Sequence, residues 1–235
     1  MNNSESTPVR YDQLIEPIFA DFKPAPALWP VNVRIGLWLL LQVCIVVLIV
    51  DAGVHSNSPL FRGIPNLEGK FHEWEFILGV AALSVVGILS AASAIRSAVP
   101  GELEMRGARF ALLIVSAAVG LLLMVHEPAH AVTSLHQFVL SGSRCAICVV
   151  TVAALPWIAL FWAVRRAMPM WGATEGTLVG IAAFAFSFVI SRMGCPIDDL
   201  SHVLLWHALP AALGAAASVL AGAYWLQDRW RTEKP

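Results

Sequence analysis

The chain has 235 residues, of which 58% are hydrophobic and only 13% charged, with a formal net charge of -1. An ordinary soluble domain is about a quarter charged, so this composition excludes one and puts most of the length in a bilayer. The near-neutral balance leaves no electrostatic footprint for nucleic acid.

Nucleotide-phosphate loops of the G-x-x-x-x-G-K-[ST] or G-x-G-x-x-G type are absent, which argues against a nucleotide-driven pump. H-E-x-x-H and G-x-S-x-G are absent as well. The N-terminus has no basic stretch running straight into an apolar core, so it is not read as a cleavable signal peptide, and the first apolar segment is expected to stay as an anchor.

Residues 1–9 carry no apolar pattern. Tyr11, Leu14, Ile15, Ile18, Phe19 and Phe22 then recur at helical spacing, with Asp12, Glu16 and Asp21 on other faces. Pro17 disfavours helical geometry at Glu16, which predicts a kink or a helix that begins only there. The carboxylates Glu5, Asp12, Glu16 and Asp21 outnumber Arg10 and Lys23. That is the wrong sign for an anionic membrane surface, and it favours a protein partner with a basic face. Lys23 to Pro30, KPAPALWP, reads as a stiff linker.

Six apolar stretches follow, at about 33–50, 75–98, 108–125, 145–163, 174–190 and 201–226. Each is near the ~20 residues that cross a hydrocarbon core. A spanning segment must satisfy its own backbone, so helices are predicted. The fold class expected is all-α: a polytopic membrane protein of six transmembrane helices with both termini cytoplasmic. The domain reading is an N-terminal segment, 1–32, a six-helix domain, 33–226, and a short tail, 227–235. Orientation follows from the fifteen Lys and Arg. With the N-terminus inside, only Arg62, Lys70, Arg144 and Arg192 fall in outer segments, and the remaining eleven lie inside. Small residues four apart, Gly87 with Ala91 and Gly214 with Ser218 and Gly222, let helices approach closely.

The chemistry concentrates in Gly194 to Pro210, GCPIDDLSHVLLWHALP. A helix starting near Pro196 would hold Asp198 and Asp199 in its first turn, at the positive end of its dipole. His202 follows four and three residues later and can share a face with either. Cys195 stands just outside, where the helix end or an imidazolium lowers a thiol pKa. His207 lies one turn deeper. Cys145 and Cys148 form C-A-I-C at the outer start of the fourth span, and Cys44 sits mid-way along the first as a small apolar filler. Three outcomes stay open for Cys145, Cys148 and Cys195. One is a disulfide, as a Cys145–Cys195 staple or a local Cys145–Cys148 pair. Another is thiolate–imidazole metal binding, with Cys195 and His202 as the ligands named first. The third is inert packing. His126 and His130, four apart beside Pro128 in the loop 126–144 that also holds His136, are a weaker metal candidate.

The ordered pattern resembles the NrsF-type membrane proteins, negative regulators of extracytoplasmic-function sigma factors. The resemblance rests on Asp12-Gln13-Leu14-Ile15 with its Pro-rich linker, the Val99-Pro100-Gly101 break, Arg165-Arg166, and the Cys195-Pro196…His202…Trp206-His207…Pro210 signature. It implies a six-span anti-sigma factor at the bacterial inner membrane and not an enzyme. The partners implied are a sigma factor and membrane lipid, with no direct nucleic acid. No resident cofactor is implied beyond a transient heavy-metal ion. By motif position Cys195 matches the family's loop cysteine and Cys145 the one opening the fourth span; Cys148 is an addition. Redox or metal sensing then falls to Cys145, Cys148, Cys195, Asp198, Asp199, His202 and His207. Partner binding falls to Tyr11–Phe22, with the inner loops 99–109 and 165–173. Two other classes compete: a thiol–quinone oxidoreductase on the three cysteines, and a small metal or solute transporter using His202, His207 and Glu175.

Overall fold

The structure is a computed structural model that describes residues 28–55, 70–98, 115–120, 122, 134–167, 169 and 171–226. The described chain is all-helical. Five helices are long and apolar enough to cross a membrane: α1 (Val31–His55), α2 (Trp74–Ser97), α3 (Leu135–Arg166), α4 (Gly172–Gly194) and α5 (Leu200–Leu226). The expected docking segment, Tyr11–Phe22, and the loop histidines His126 and His130 lie outside the described residues. So does most of the expected third span, but residues 115–120 are helical and Gly120 packs closely on Leu83 of α2.

Helix α4 is the axis of the bundle. Of its apolar window 61% is buried, against 11% for α1, which lies at the rim with Leu40, Val43, Val47 and Leu48 exposed. Its sequence explains this position. Gly172, Gly176 and Gly180 recur every fourth residue, and the first two accept α5 at backbone contact. A Cβ on Gly176 would lie 2.3 Å from the Ser218 carbonyl oxygen, and one on Gly222 would lie 2.2 Å from the Gly172 oxygen. Lipid removes the hydrophobic drive between helices, so close packing of this kind carries the association. The Ser218 hydroxyl donates to the Gly176 carbonyl at 2.7 Å and accepts from the Trp157 indole of α3 at 2.7 Å, which ties three helices at one point. The small-residue spacings of α2 and α5 serve the same purpose: Gly87 faces Phe186, and Gly214 faces Phe184.

The topology can be followed from end to end. Lys70, just before α2, meets Arg192 and Cys195 at the close of α4. Ser97, at the other end of α2, donates to Glu175 in the first turn of α4 at 2.8 Å. The start of α5, the first half of α3 and the end of α4 therefore share one end, the thiol end. Leu226 belongs to a core cluster against which Val31 packs, so the described chain begins and ends at the opposite end.

Several expected boundaries need correction. Helix α3 starts at Leu135, ten residues before Cys145. His136 is therefore an exposed residue of its first turn and not a loop residue. Cys145 and Cys148 are not at the start of the helix but about 15 and 20 Å along it, at 1.5 Å per residue. The 32 residues of α3 reach about 48 Å and overrun the hydrocarbon core. Helix α4 extends to Gly194, so Arg192 is a helical residue with 0% exposure and not part of a loop. Lys70 is likewise buried rather than solvated. Cys44 is exposed on the rim of α1 and fills no core.

Candidate metal and thiol site

The site is built on the connection from α4 to α5. Gly194 ends α4, and Cys195 turns to extended backbone with φ of -91° and ψ of 125°. Pro196 follows and fixes its own φ. Helix α5 begins where the sixth stretch was expected to, near 201, and not at Pro196. It starts at Leu200, with Asp199 as its N-cap: the Asp199 carboxylate accepts the His202 backbone N–H at 3.1 Å and the Ser201 hydroxyl. A cap of this kind contributes about 1 kcal/mol. It also sets the direction of the His202 ring, whose Nε2 lies 3.4 Å from Cys195 Sγ.

Helix α3 supplies the second sulfur. Cys145 Sγ lies 3.8 Å from Cys195 Sγ, and all four cysteines are free thiols. His207 completes a group in which one ligand atom each from Cys145, Cys195, His202 and His207 lie within 4.8 Å of one another. In a regular α-helix residues five apart point about 140° away from each other. Here Leu204–Ala208 is a π-helical turn, and the Leu209 N–H bonds to the Leu204 carbonyl. The i to i+5 closure brings residues five apart to nearly the same side. The His202 and His207 ring centroids end up 5.4 Å apart. Pro210 is the local cause: it has no N–H for the Trp206 carbonyl, and its ring would clash with that oxygen in an α-turn.

The surroundings are dry and closely packed. Cys195 is 4% exposed, His202 1% and His207 0%. Phe138 stands edge-on to both His202 and Trp206, and Phe188 stands edge-on to His207. A side chain at Gly142 would meet the Trp206 indole at 2.2 Å, so only glycine lets α3 come this close. Among the described residues neither ring nitrogen of His207 has a hydrogen-bond partner at normal geometry. An imidazole buried without one costs stability, and a metal bond is one way to satisfy it.

The electrostatics favour thiolate at Cys195. Its pKa is depressed far below the ordinary thiol range, first by the hydrogen bond from Cys145 and then by His202 and His207; burial opposes them. Close by is a buried ionic knot. Asp198 accepts from Lys70 Nζ at 2.9 Å and from the Arg192 guanidinium, whose other arm donates to the Ile197 carbonyl at 2.8 Å. Burial raises the Asp198 carboxyl, but Lys70 and Arg192 outweigh it and hold it below the usual carboxylate range. Burial and Arg192 lower the Lys70 ammonium, against the pull of Asp198.

This geometry fits tetrahedral coordination by two sulfurs and two nitrogens. Bonds of about 2.3 Å to sulfur and 2.0–2.1 Å to nitrogen imply edges near 3.8 Å between sulfurs and about 3.5 Å from sulfur to nitrogen. The same two sulfurs need to close by roughly 1.8 Å to form a disulfide of about 2.05 Å.

The sequence-chosen residues thus separate. Cys145, Cys195, His202 and His207 converge. Asp198 and Asp199 stay outside as the anchor of the loop and the cap of α5. Cys148 is outside the group, with its sulfur accepting from the Ser191 hydroxyl at 3.6 Å. Glu175 is buried near the opposite end of the bundle. Sequence reasoning missed Lys70 and Arg192 as parts of the site, because a charge beside a span reads as solvated.

No curated protein and no solved structure matches the chain. The model of one family, NrsF, described as negative regulator of sigma F, matches residues 20–230, nearly the whole length, and the chain belongs to that family.

Proposed function

We propose that this protein is a membrane anti-sigma factor that holds an extracytoplasmic-function sigma factor inactive and releases it when a thiophilic metal or an oxidant engages Cys145 and Cys195. The family name makes the chain a negative regulator of a sigma factor. The observation that carries the sensing role is the convergence of Cys145, Cys195, His202 and His207 from α3, the α4–α5 connection and α5 within 4.8 Å.

The membrane arrangement has its own support. Helix α2 ends away from the thiols and α3 begins on their side, and the helical residues 115–120 between the two support a sixth crossing. Six crossings put both termini on one side, opposite the thiol end. The excess of Lys and Arg favours the cytoplasm for that side, which supports an outer-face position for the site in a bacterial inner membrane. Tyr11, Leu14, Ile15, Ile18, Phe19 and Phe22 then dock the sigma factor from the cytoplasm, with help from the loops 99–109 and 165–173.

A metal held by Cys145, Cys195, His202 and His207 would replace the thiol protons and lock α3 to the α4–α5 connection and α5 at the spacing already present. Oxidation gives the same connection as a covalent bond: two thiols lose two protons and two electrons to the oxidant, and one disulfide forms. Either event releases the partner only if the two helix packings bind it differently, by about 1–3 kcal/mol. The protein acts as a regulator, not an enzyme. A quinone-linked oxidoreductase needs a second thiol pair as relay, and Cys148 is turned to Ser191 while Cys44 lies exposed on α1. A transporter needs a polar path, and Glu175 and the thiol site stand at opposite ends of α4.

The test is titration of the purified, reduced protein with Cd²⁺, followed by sulfur-to-cadmium charge-transfer absorbance. One ion per chain is expected in the wild type and none in a C145S/C195S double variant. Equal binding by the two removes the metal reading and leaves oxidation as the signal.

A further inference from the structure

We propose that Lys70 is a positioning residue of the thiol site, and that its ammonium holds the Cys195 loop in the register that brings Cys195 to Cys145. This goes beyond the sensing role and rests on reading the four-residue group as a metal and thiol site.

The loop 195–198 lies between two helices and has no ladder of its own. Its groups are taken by two buried cations from opposite sides. Arg192 reaches from the end of α4 to the Ile197 carbonyl and the Asp198 carboxylate. Lys70 comes from the other side, ahead of α2. Its three N–H bonds match three acceptors: the Arg192 carbonyl at 3.2 Å, the Cys195 carbonyl, and Asp198 Oδ1 at 2.9 Å. The ammonium also sits 5.5 Å from the centroid of the Phe76 ring, and the residue is only 5% exposed.

Lysine is almost never buried to this degree without partners. Every hydrogen-bond acceptor here belongs to the last turn of α4 or to the four residues that carry the thiol. Lys70 therefore grips the backbone of Cys195 itself, at the carbonyl of the residue whose sulfur faces Cys145. Without the grip the Cys195 carbonyl loses its donor and the Arg192 carbonyl keeps only the Cys195 N–H at 3.3 Å, and the loop is free to carry the sulfur away from its partner at 3.8 Å. A group that fixes a ligand in this way costs about 10- to 100-fold in metal affinity when it is removed.

The test uses full-length protein in detergent with three variants. Lys70→Met keeps the stem against Phe76 and removes the donors. Lys70→Arg keeps the charge and the donors. Lys70→Gln keeps two donors, and takes the place of the methionine variant if that one does not fold. Two readouts are taken on each. The first is Cd²⁺ affinity together with the thiolate-to-Co²⁺ charge-transfer spectrum. The second is the rate at which diamide converts Cys145 and Cys195 to a disulfide, with reduction of diamide to its hydrazine, read by peptide mass mapping. Lys70→Met is expected to bind Cd²⁺ about 10- to 100-fold more weakly. Its Co²⁺ spectrum loses thiolate intensity, its disulfide forms more slowly, and Lys70→Arg recovers both. Wild-type behaviour of Lys70→Met in both readouts overturns the role given to Lys70. If the wild type binds no metal, the metal reading fails, and the diamide rates alone decide on Lys70: slower for Met and restored by Arg sustains it, while equal rates overturn it. If Lys70→Gln is the variant that folds, an intermediate loss sustains the role and no loss overturns it.

Discussion

Cys145 and Cys195 are fifty residues apart in sequence and 3.8 Å apart at their sulfurs. One comes from the middle of a long helix, and the other from the short connection that follows the central helix. A contact of this kind reports directly on how α3 sits against the start of α5. Any ligand or bond that changes the sulfur distance must move one helix against the other.

Replacing Cys195 with serine is expected to abolish tight Cd²⁺ binding, a loss of at least about 100-fold, because a hydroxyl is a poor soft ligand. Replacing Cys148 with serine is expected to change affinity much less, since its sulfur is turned toward Ser191. Parallel cadmium titrations check both. Equal losses would show that the group is drawn from the wrong cysteines.

Pro210→Ala restores the N–H that the Trp206 carbonyl lacks and removes the ring clash. The turn at Leu204–Ala208 is then expected to tighten toward α, and His207 to swing off the face it shares with His202. Metal affinity should fall by about tenfold or more, within the range found for groups that orient ligands. Thermal stability should hold or rise, because a proline inside a helix is unfavourable. Affinity and melting temperature measured on the same sample separate the two effects.

Gly176→Val places a branched side chain where a Cβ already meets the Ser218 carbonyl oxygen at 2.3 Å. Overpacking of this type costs about 1–3 kcal/mol. A lower melting temperature in detergent is expected, with the α4–α5 contact opened along its length. A matched change at Gly194, where nothing lies within 4 Å, should leave the melting temperature nearly unchanged.

The depressed Asp198 carboxyl has a defined consequence for acid stability. Its folded pKa lies below its unfolded value, so the unfolded chain binds more protons at low pH. The contribution of the ion pairs is fully present above the ordinary carboxylate range and is lost as pH falls through the folded pKa. Unfolding followed from neutral pH into that acid range should show a loss for the wild type that is smaller in Asp198→Asn. The variant itself should be the less stable one at neutral pH.

Much of this was legible in the sequence, for physical reasons that differ by element. Hydropathy over about twenty residues located the five spans that the described residues show, because lipid penalises every polar group inside it. The Gly194–Pro210 stretch stood out because ionisable groups there are unusual beside an apolar helix. Other features were hidden. The start of α3 was placed too late because SGSR, residues 141–144, breaks the apolar run, whereas the helix runs through it from Leu135. The cap of α5 was hidden because Pro196 also suits a first turn, whereas Asp199 is the residue that caps it. His207 belongs to the ligand group only because of a π turn, and α-helical spacing points it away. Lys70 became part of the site through a contact 125 residues away in sequence, which no local pattern encodes.

The most direct test of the central claim is recovery of the tagged, full-length protein from its host membranes in mild detergent, with identification of what comes with it before and after Cd²⁺ is added. The account expects a stoichiometric sigma factor that leaves on addition of Cd²⁺ and stays with the C145S/C195S variant. Absence of a sigma factor from a host that expresses one, or identical release from wild type and variant, would contradict it.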